Sequence, residues 1–275
     1  MPGSRGRGSR RAALLALVTL SALAALALFP VVARARVRPR FEPTDLEWED
    51  AGVFEADVET GAIRGDGPWR VMVADFELDL GLLPNLELDL DGAVAIEGPA
   101  MGPFAFDHPV YDVLWASAKI GVYDDVDEQT QRTRAIGLQV GPKLPVGSTR
   151  GVGAETLIIT GTRARPLTFA LNLGAFVDPA PDGTSYRPWG AEAGVDVEID
   201  LGTADVFTLT GELAATVFGS ADANQLNATA GLSWSVTPNL DLSVVGLVGL
   251  VGVAGGGDRY GFLVGAEPKM RLFRR

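Results

Sequence analysis

The sequence predicts an all-β fold: a transmembrane antiparallel β-barrel of about twelve strands, of the outer-membrane type. Three observations lead there. Apolar and polar residues alternate with period two through most of the chain beyond residue 52. Only Lys119, Lys143 and Lys269 supply lysine in 275 residues. The connections between alternating segments are by turns short and longer, as in barrels with tight turns on one side of a membrane and loops on the other.

The N-terminal region is of a different kind. Residues 1–11 are basic, with Arg5, Arg7, Arg10 and Arg11, and residues 12–33 form an apolar run with Thr19 and Ser21 as its polar interruptions. Pro30 breaks that helix, and Ala33-Arg34-Ala35 presents small residues where a signal peptidase needs them, so residues 1–35 read as a signal peptide cleaved after Ala35. The run is also long enough to serve as an uncleaved anchor; the small-x-small site favours cleavage. Residues 36–52 then form an N-terminal periplasmic lead-in, and residues 53–275 the barrel. Five of the 23 basic residues and none of the 35 acidic ones lie in the first 35, so the remainder carries 18 basic against 35 acidic residues. Such a surplus repels phosphate backbones and excludes nucleic acid as a partner. The absence of Cys excludes disulfides, thiol catalysis and zinc knuckles, and the single His108 excludes polyhistidine metal sites, so neither a metal nor a cofactor is expected.

Twelve segments follow. In 54–62, Phe54, Ala56, Val58, Thr60 and Ala62 oppose Glu55, Asp57, Glu59 and Gly61. In 69–82, Phe76, Leu78, Leu80 and Leu82 oppose Asp75, Glu77, Asp79 and Gly81, whereas Trp69, Val71 and Val73 lie in the other phase, which places a bulge near Ala74. In 86–96, Leu86, Leu88 and Leu90 oppose Glu87, Asp89 and Asp91. Segments 114–122 and 136–140 continue the pattern, 154–162 alternates poorly, and 167–177 restores it. The clearest is 189–201, in which Glu192, Asp196, Glu198 and Asp200 share one face and Ala191, Val195, Val197 and Ile199 the other. Thirteen residues is long for a soluble strand and suits a tilted membrane-crossing one. Segments 207–217, 226–236, 240–250 and a weaker 260–272 complete an even set, which lets a sheet close with both termini on one side.

Starting upward from the N-terminus, turns after even-numbered segments should be short. Those at 83–85, 163–166, 202–206 and 237–239 obey, while 124–131 is too long. Connections after odd-numbered segments should be longer, as 98–109 and 178–186 are.

Alternation alone does not say which face is outside. Composition does: a water-facing exterior carries long charged side chains, whereas the polar faces here include Thr208, Thr210, Thr216, Asn227, Thr229, Ser233 and Ser235, small groups that suit a crowded interior. On the apolar face, Phe54, Phe207 and Trp234 sit near one rim and Trp189 and Phe262 near the other, as interfacial belts require.

The stretches 76–90, FELDLGLLPNLELDL, and 137–147, GLQVGPKLPVG, resemble the outer-membrane barrel family named for the phenol meta-degradation pathway. The resemblance implies a transport role in the bacterial outer membrane of a Gram-negative cell and folding by the barrel-assembly machinery. Barrels of that kind commonly end in an aromatic residue; here Phe273 is followed by Arg274 and Arg275.

With the apolar face toward outer-membrane lipid, Glu55, Asp57, Glu59, Glu77, Asp79, Glu87, Asp89 and Asp91 line one wall of the interior and Glu192, Asp196, Glu198 and Asp200 another. Clustered carboxylates concentrate cations and disfavour anions. The same acids can instead simply hydrate the lumen or pair with Arg64, Arg70 and Lys119. Trp115, Phe176 and Leu247 should point inward and either obstruct the bore or offer an apolar ledge to an aromatic solute, since twelve strands lie between eight, which side chains fill, and sixteen, which leave a wide channel. Asp107, His108 and Asp112 fall in an external loop, but no nucleophile stands at a catalytic spacing, so the reading is not an enzyme. The sequence therefore points to a porin-like channel or transporter for small solutes with an acidic, cation-favouring lumen. A non-conducting structural or adhesive barrel, and a soluble periplasmic barrel that binds ligands, are the alternatives. Homo-oligomers are left open.

Overall fold

The computed structural model describes residues 46, 48–65, 69–97, 108–111, 114–127, 132–146, 149–181, 183–202, 206–219, 224–252 and 258–273. The expected signal peptide, and Asp107 and Asp112, lie outside them. Twelve strands form the staves: β1 (Val53–Arg64), β2 (Trp69–Leu83), β3 (Leu86–Glu97), β4 (Leu114–Asp127), β5 (Arg132–Leu144), β6 (Gly153–Ala164), β7 (Leu167–Val177), β8 (Trp189–Leu201), β9 (Phe207–Phe218), β10 (Gln225–Thr237), β11 (Leu240–Val251) and β12 (Tyr260–Arg271). Each pairs antiparallel with the next, and β12 returns to β1 from Val53↔Arg271 to Arg64↔Tyr260, so the sheet closes. Closure removes both edges, which is what lets strands cross hydrocarbon, where an unpaired N–H or C=O finds no water.

All twelve expected strands are present. The bulge expected near Ala74 is there, because the β2–β3 register skips between Met72 and Ala74. Above it Arg70 and Met72 face inward, and below it Asp75, Glu77, Asp79 and Gly81 do. Two local expectations are corrected. The long connection after the fourth strand is not one, because Tyr123↔Ile136 through Asp127↔Arg132 extend β4 and β5 and leave only 128–131 between them. A register shift at Gly121/Tyr123 breaks the phase there, and every residue from Val122 to Asp127 is exposed, so neither face carries the apolar signal. His108, expected in a loop, opens a short strand, His108–Tyr111, that runs beside β3 and extends the pairing begun by β4.

With these changes the connections sort by end. After even-numbered strands they span two to five residues, and after odd-numbered strands four to sixteen. The former, with both ends of the barrel chain, define the turn end; the latter define the loop end. At the loop end a two-residue ladder, Thr149–Arg150 with Ala180–Pro181, joins two loops, and Arg187 donates from Nε to the Asp178 carbonyl at 3.0 Å and from Nη2 to that of Val152 at 2.6 Å.

The outward face is oily all round. Leu88, Val140, Ile158, Leu173, Leu213, Val244 and Val264, on seven of the staves, are all exposed, while their neighbours one residue away turn inward. Phe207 and Trp234 stack at 6.2 Å near the turn end, and Trp69 and Tyr260 meet edge to face at 5.7 Å near the loop end. An apolar band between aromatic girdles is stable only where hydrocarbon replaces water. Leu213, 45% exposed on β9, should therefore tolerate no charge: Leu213→Arg is expected to cost about 2–4 kcal/mol of stability, read by denaturant unfolding in lipid vesicles.

Candidate functional site

The strand periodicity that turns leucines outward sends every second residue into the lumen. All twelve acids singled out from the sequence occupy inward positions. Asp79, Glu87, Asp89, Glu192 and Asp196 are buried there, and Glu55, Asp57, Glu59, Glu77, Asp91, Glu198 and Asp200 are half-buried. The register groups them. Asp57↔Glu77 and Glu77↔Asp91, Glu55↔Asp79 and Asp79↔Asp89 run as rows across β1, β2 and β3. A second group gathers on β8, where Asp196 faces Glu212 of β9.

Cations stand beside Glu87, Glu55 and Asp200 among these acids, and beside other acids of the lumen and loops. All three lysines of the chain point into the lumen. Lys119 stands 3.4 Å from Glu87. Lys143 pairs with Glu155 and lies 3.3 Å from Asp178. Lys269 lies 2.5 Å from Glu55, 3.2 Å from Glu267 and 3.4 Å from Glu49. Arg70 reaches a loop residue, Asp258, and Arg163 stands 3.8 Å from Asp200. Internal pairing thus engages Glu87 and Glu55 at lysines and Asp200 at Arg163, while the register gathers Glu77, Asp79, Asp89 and Asp91 where β2 meets β3.

The sequence did not disclose what else the lumen holds. Leu46, Trp48 and Glu49, part of the expected periplasmic lead-in, form a strap packed against the lumen wall at the turn end, while the Asp50 side chain is exposed. Gly52, at φ 86°, turns the chain from β1 back into the bore, a left-handed conformation that costs glycine little. From there the Glu49 amide donates to Glu87, and Glu49 Oε1 faces Lys269. Trp48 lies with Lys119 Nζ 6.0 Å from its ring and rests on the bare backbones of Gly121 and Gly137. A Cβ would stand 3.1 Å from the indole at the first and 2.9 Å at the second. Leu46 joins an apolar cluster with Trp115, Ala135, Leu157, Ile159, Ala170 and Ala214. These come from β4 to β7 and from β9, so the strap crosses beneath half the barrel wall. Trp115, Phe176 and Leu247 are inward and buried as expected, and Leu247 belongs to a second apolar group with Ile63, Met72, Ala93, Ala95 and Leu263 toward the loop end. The signal for the strap was the poor alternation of 154–162: Leu157 and Ile159 are apolar on the lumen face because Leu46 packs on them.

The barrel is similar in fold to two solved outer-membrane proteins. One is the COG4313 outer membrane channel from Pseudomonas putida F1, with TM-score 0.60 and 12% identity over 84% of this chain and all of that one. The other is the NanC porin, with TM-score 0.53 and 10% identity over 78% of this chain and all of that one. No protein-family model and no curated protein matches the sequence.

The glycine seat of Trp48 can be tested in a chain with no cysteine of its own. A thiol introduced as Glu49→Cys should react slowly with a water-soluble maleimide. Adding Gly137→Val overpacks the indole by about 1–3 kcal/mol and should raise the labelling rate on the order of tenfold or more.

Proposed function

We propose that the chain is a porin-like channel of the bacterial outer membrane that passes small solutes through a lumen favouring cationic or neutral cargo. The observation that carries this reading is the inversion of ordinary protein packing. Leucine and valine face outward on every stave, and carboxylates, amides and hydroxyls face inward, among them Asp89, Gln139, Asn172, Glu192, Thr216 and Asn227. A closed wall of that kind encloses polar groups that must be solvated, and solvated polar groups in line across a bilayer make a path. The fold likeness to a protein described as an outer membrane channel and to one described as a porin supports it. In this reading residues 1–35 are the export signal, and the turn end, with residues 36–52, faces the periplasm.

Selectivity follows from the rows of acids. The twelve acids at inward positions outnumber the three lysines of the lumen, and Asp196, Glu198 and Glu212 gather on one wall. A low-dielectric barrel wall focuses that potential into the bore. Permeation of anions is thereby disfavoured. A second reading, a barrel that conducts nothing, draws on the strap, since Leu46 and Trp48 fill lumen that an ion would cross. The two readings separate in planar bilayers. Full-length protein is expected to show small, cation-preferring conductance, and removal of residues 36–50 to enlarge it several-fold, because a bore of twelve strands is wide enough to conduct once cleared. Anion preference at neutral pH, or no current from either form, would overturn the channel.

The acidic wall provides its own control. Neutralising Glu198 and Asp200 together as Gln and Asn should shift the reversal potential in a salt gradient toward zero without altering heat-dependent gel mobility, the mark of a closed barrel.

A further inference from the structure

We infer that the lumen holds a divalent-cation site made by Asp79, Glu87 and Asp89. The residues belong to adjacent strands. Asp79 pairs with Asp89 and Gly81 with Glu87, so consecutive inward positions of β2 and β3 converge, and one oxygen from each carboxylate lies within 4.8 Å of the other two. Two of the three are held from behind. Ser117 Oγ at 3.0 Å and Gln139 Nε2 at 2.8 Å both donate to Oδ2 of Asp89. Lys119 Nζ stands 3.4 Å from Oε1 of Glu87, and the Glu49 amide donates to its Oε2.

Asp79 has no such support. It is 8% exposed, and its Oδ1 is buried without a hydrogen-bond partner, as is Oδ1 of Asp89. An ionised carboxylate withdrawn from water with nothing to donate to it is among the costliest groups a protein can bury. The geometry offers one economical remedy, a cation shared by the three. With Lys119 beside Glu87, a divalent ion would match the charge that the three carboxylates carry when all are ionised. The donors are all oxygen and come without nitrogen or sulfur, which suits a hard ion, and Ca2+ above Mg2+ because flanking carboxylates can adjust to its looser coordination. Glu77 and Asp91, paired one step further along, add a negative approach.

The site does not depend on permeation and is read at equilibrium. Full-length barrel in detergent, stripped with EDTA, is titrated calorimetrically with CaCl2 and, separately, with MgCl2. A single saturable Ca2+ site is expected, with Mg2+ weaker. Asp79→Asn should weaken Ca2+ at least about tenfold, whereas Glu212→Gln, on the far wall, should leave it unchanged. Should Asp79→Asn fail to close into a heat-modifiable barrel, Asp89→Asn is read in its place. No saturable binding by the unaltered protein, or binding that the substitutions leave intact, overturns the site. A barrel that binds Ca2+ but carries no current would sink the channel and keep the site; a conducting barrel that binds none would do the reverse.

Discussion

The structure depends on one constraint, that no backbone N–H or C=O of a strand in hydrocarbon can be left without a partner. The ladder from β12 back to β1, ten residue pairs from Val53↔Arg271 to Arg64↔Tyr260, satisfies it. Once the sheet is closed, the two faces have fixed and opposite solvents. Period two then does the sorting, and the residue types follow: Leu, Val and Ile toward lipid, and Asp, Glu, Thr, Asn and Gln toward the bore.

A closed sheet of twelve staves creates a problem that an eight-stranded one avoids, because the lumen is too wide for the wall's own side chains to fill and too narrow to behave as bulk water. The chain meets it with two kinds of filling. Charged groups are matched in clusters of two to four, with every lysine of the sequence spent inside: Lys119 at Glu87, Lys143 between Glu155 and Asp178, and Lys269 among Glu49, Glu55 and Glu267. Elsewhere the filling is apolar, around Leu157 and Ile159 at one level and Leu263 and Met72 at another. The polar lumen is thus uneven, and its carboxylates are most crowded along the β2–β3 ladder.

Much of the architecture was legible because alternation is a local signal. Residues 189–201 declare their two faces without reference to anything else, and the reversal of phase between Val73 and Phe76 marked a bulge that the register contains. The sequence was least informative where a side chain answers to something distant in the chain. Leu157 and Ile159 blur their strand's pattern because their partner is Leu46, more than a hundred residues away. Leu263 does the same to the last strand through its contacts with Ile63 and Met72. The inward direction of the twelve acids could be read residue by residue. Which of them meet a lysine could not, since that is decided by inter-strand register and by the strap.

The partners of the strap also bear on the order of assembly. Glu49 reaches Lys269, Asp50 reaches Arg271 and the carbonyl of Gly52 receives the amide of Leu272, so the first described residues bind the last. Lys269 and Arg271 lie on β12 and Leu272 just beyond it, and none of these contacts can exist while that stave is missing. The segment ahead of the first strand thus acts as a clasp that fastens only after the circle is complete, and its fastening distinguishes a finished barrel from one still open at the seam.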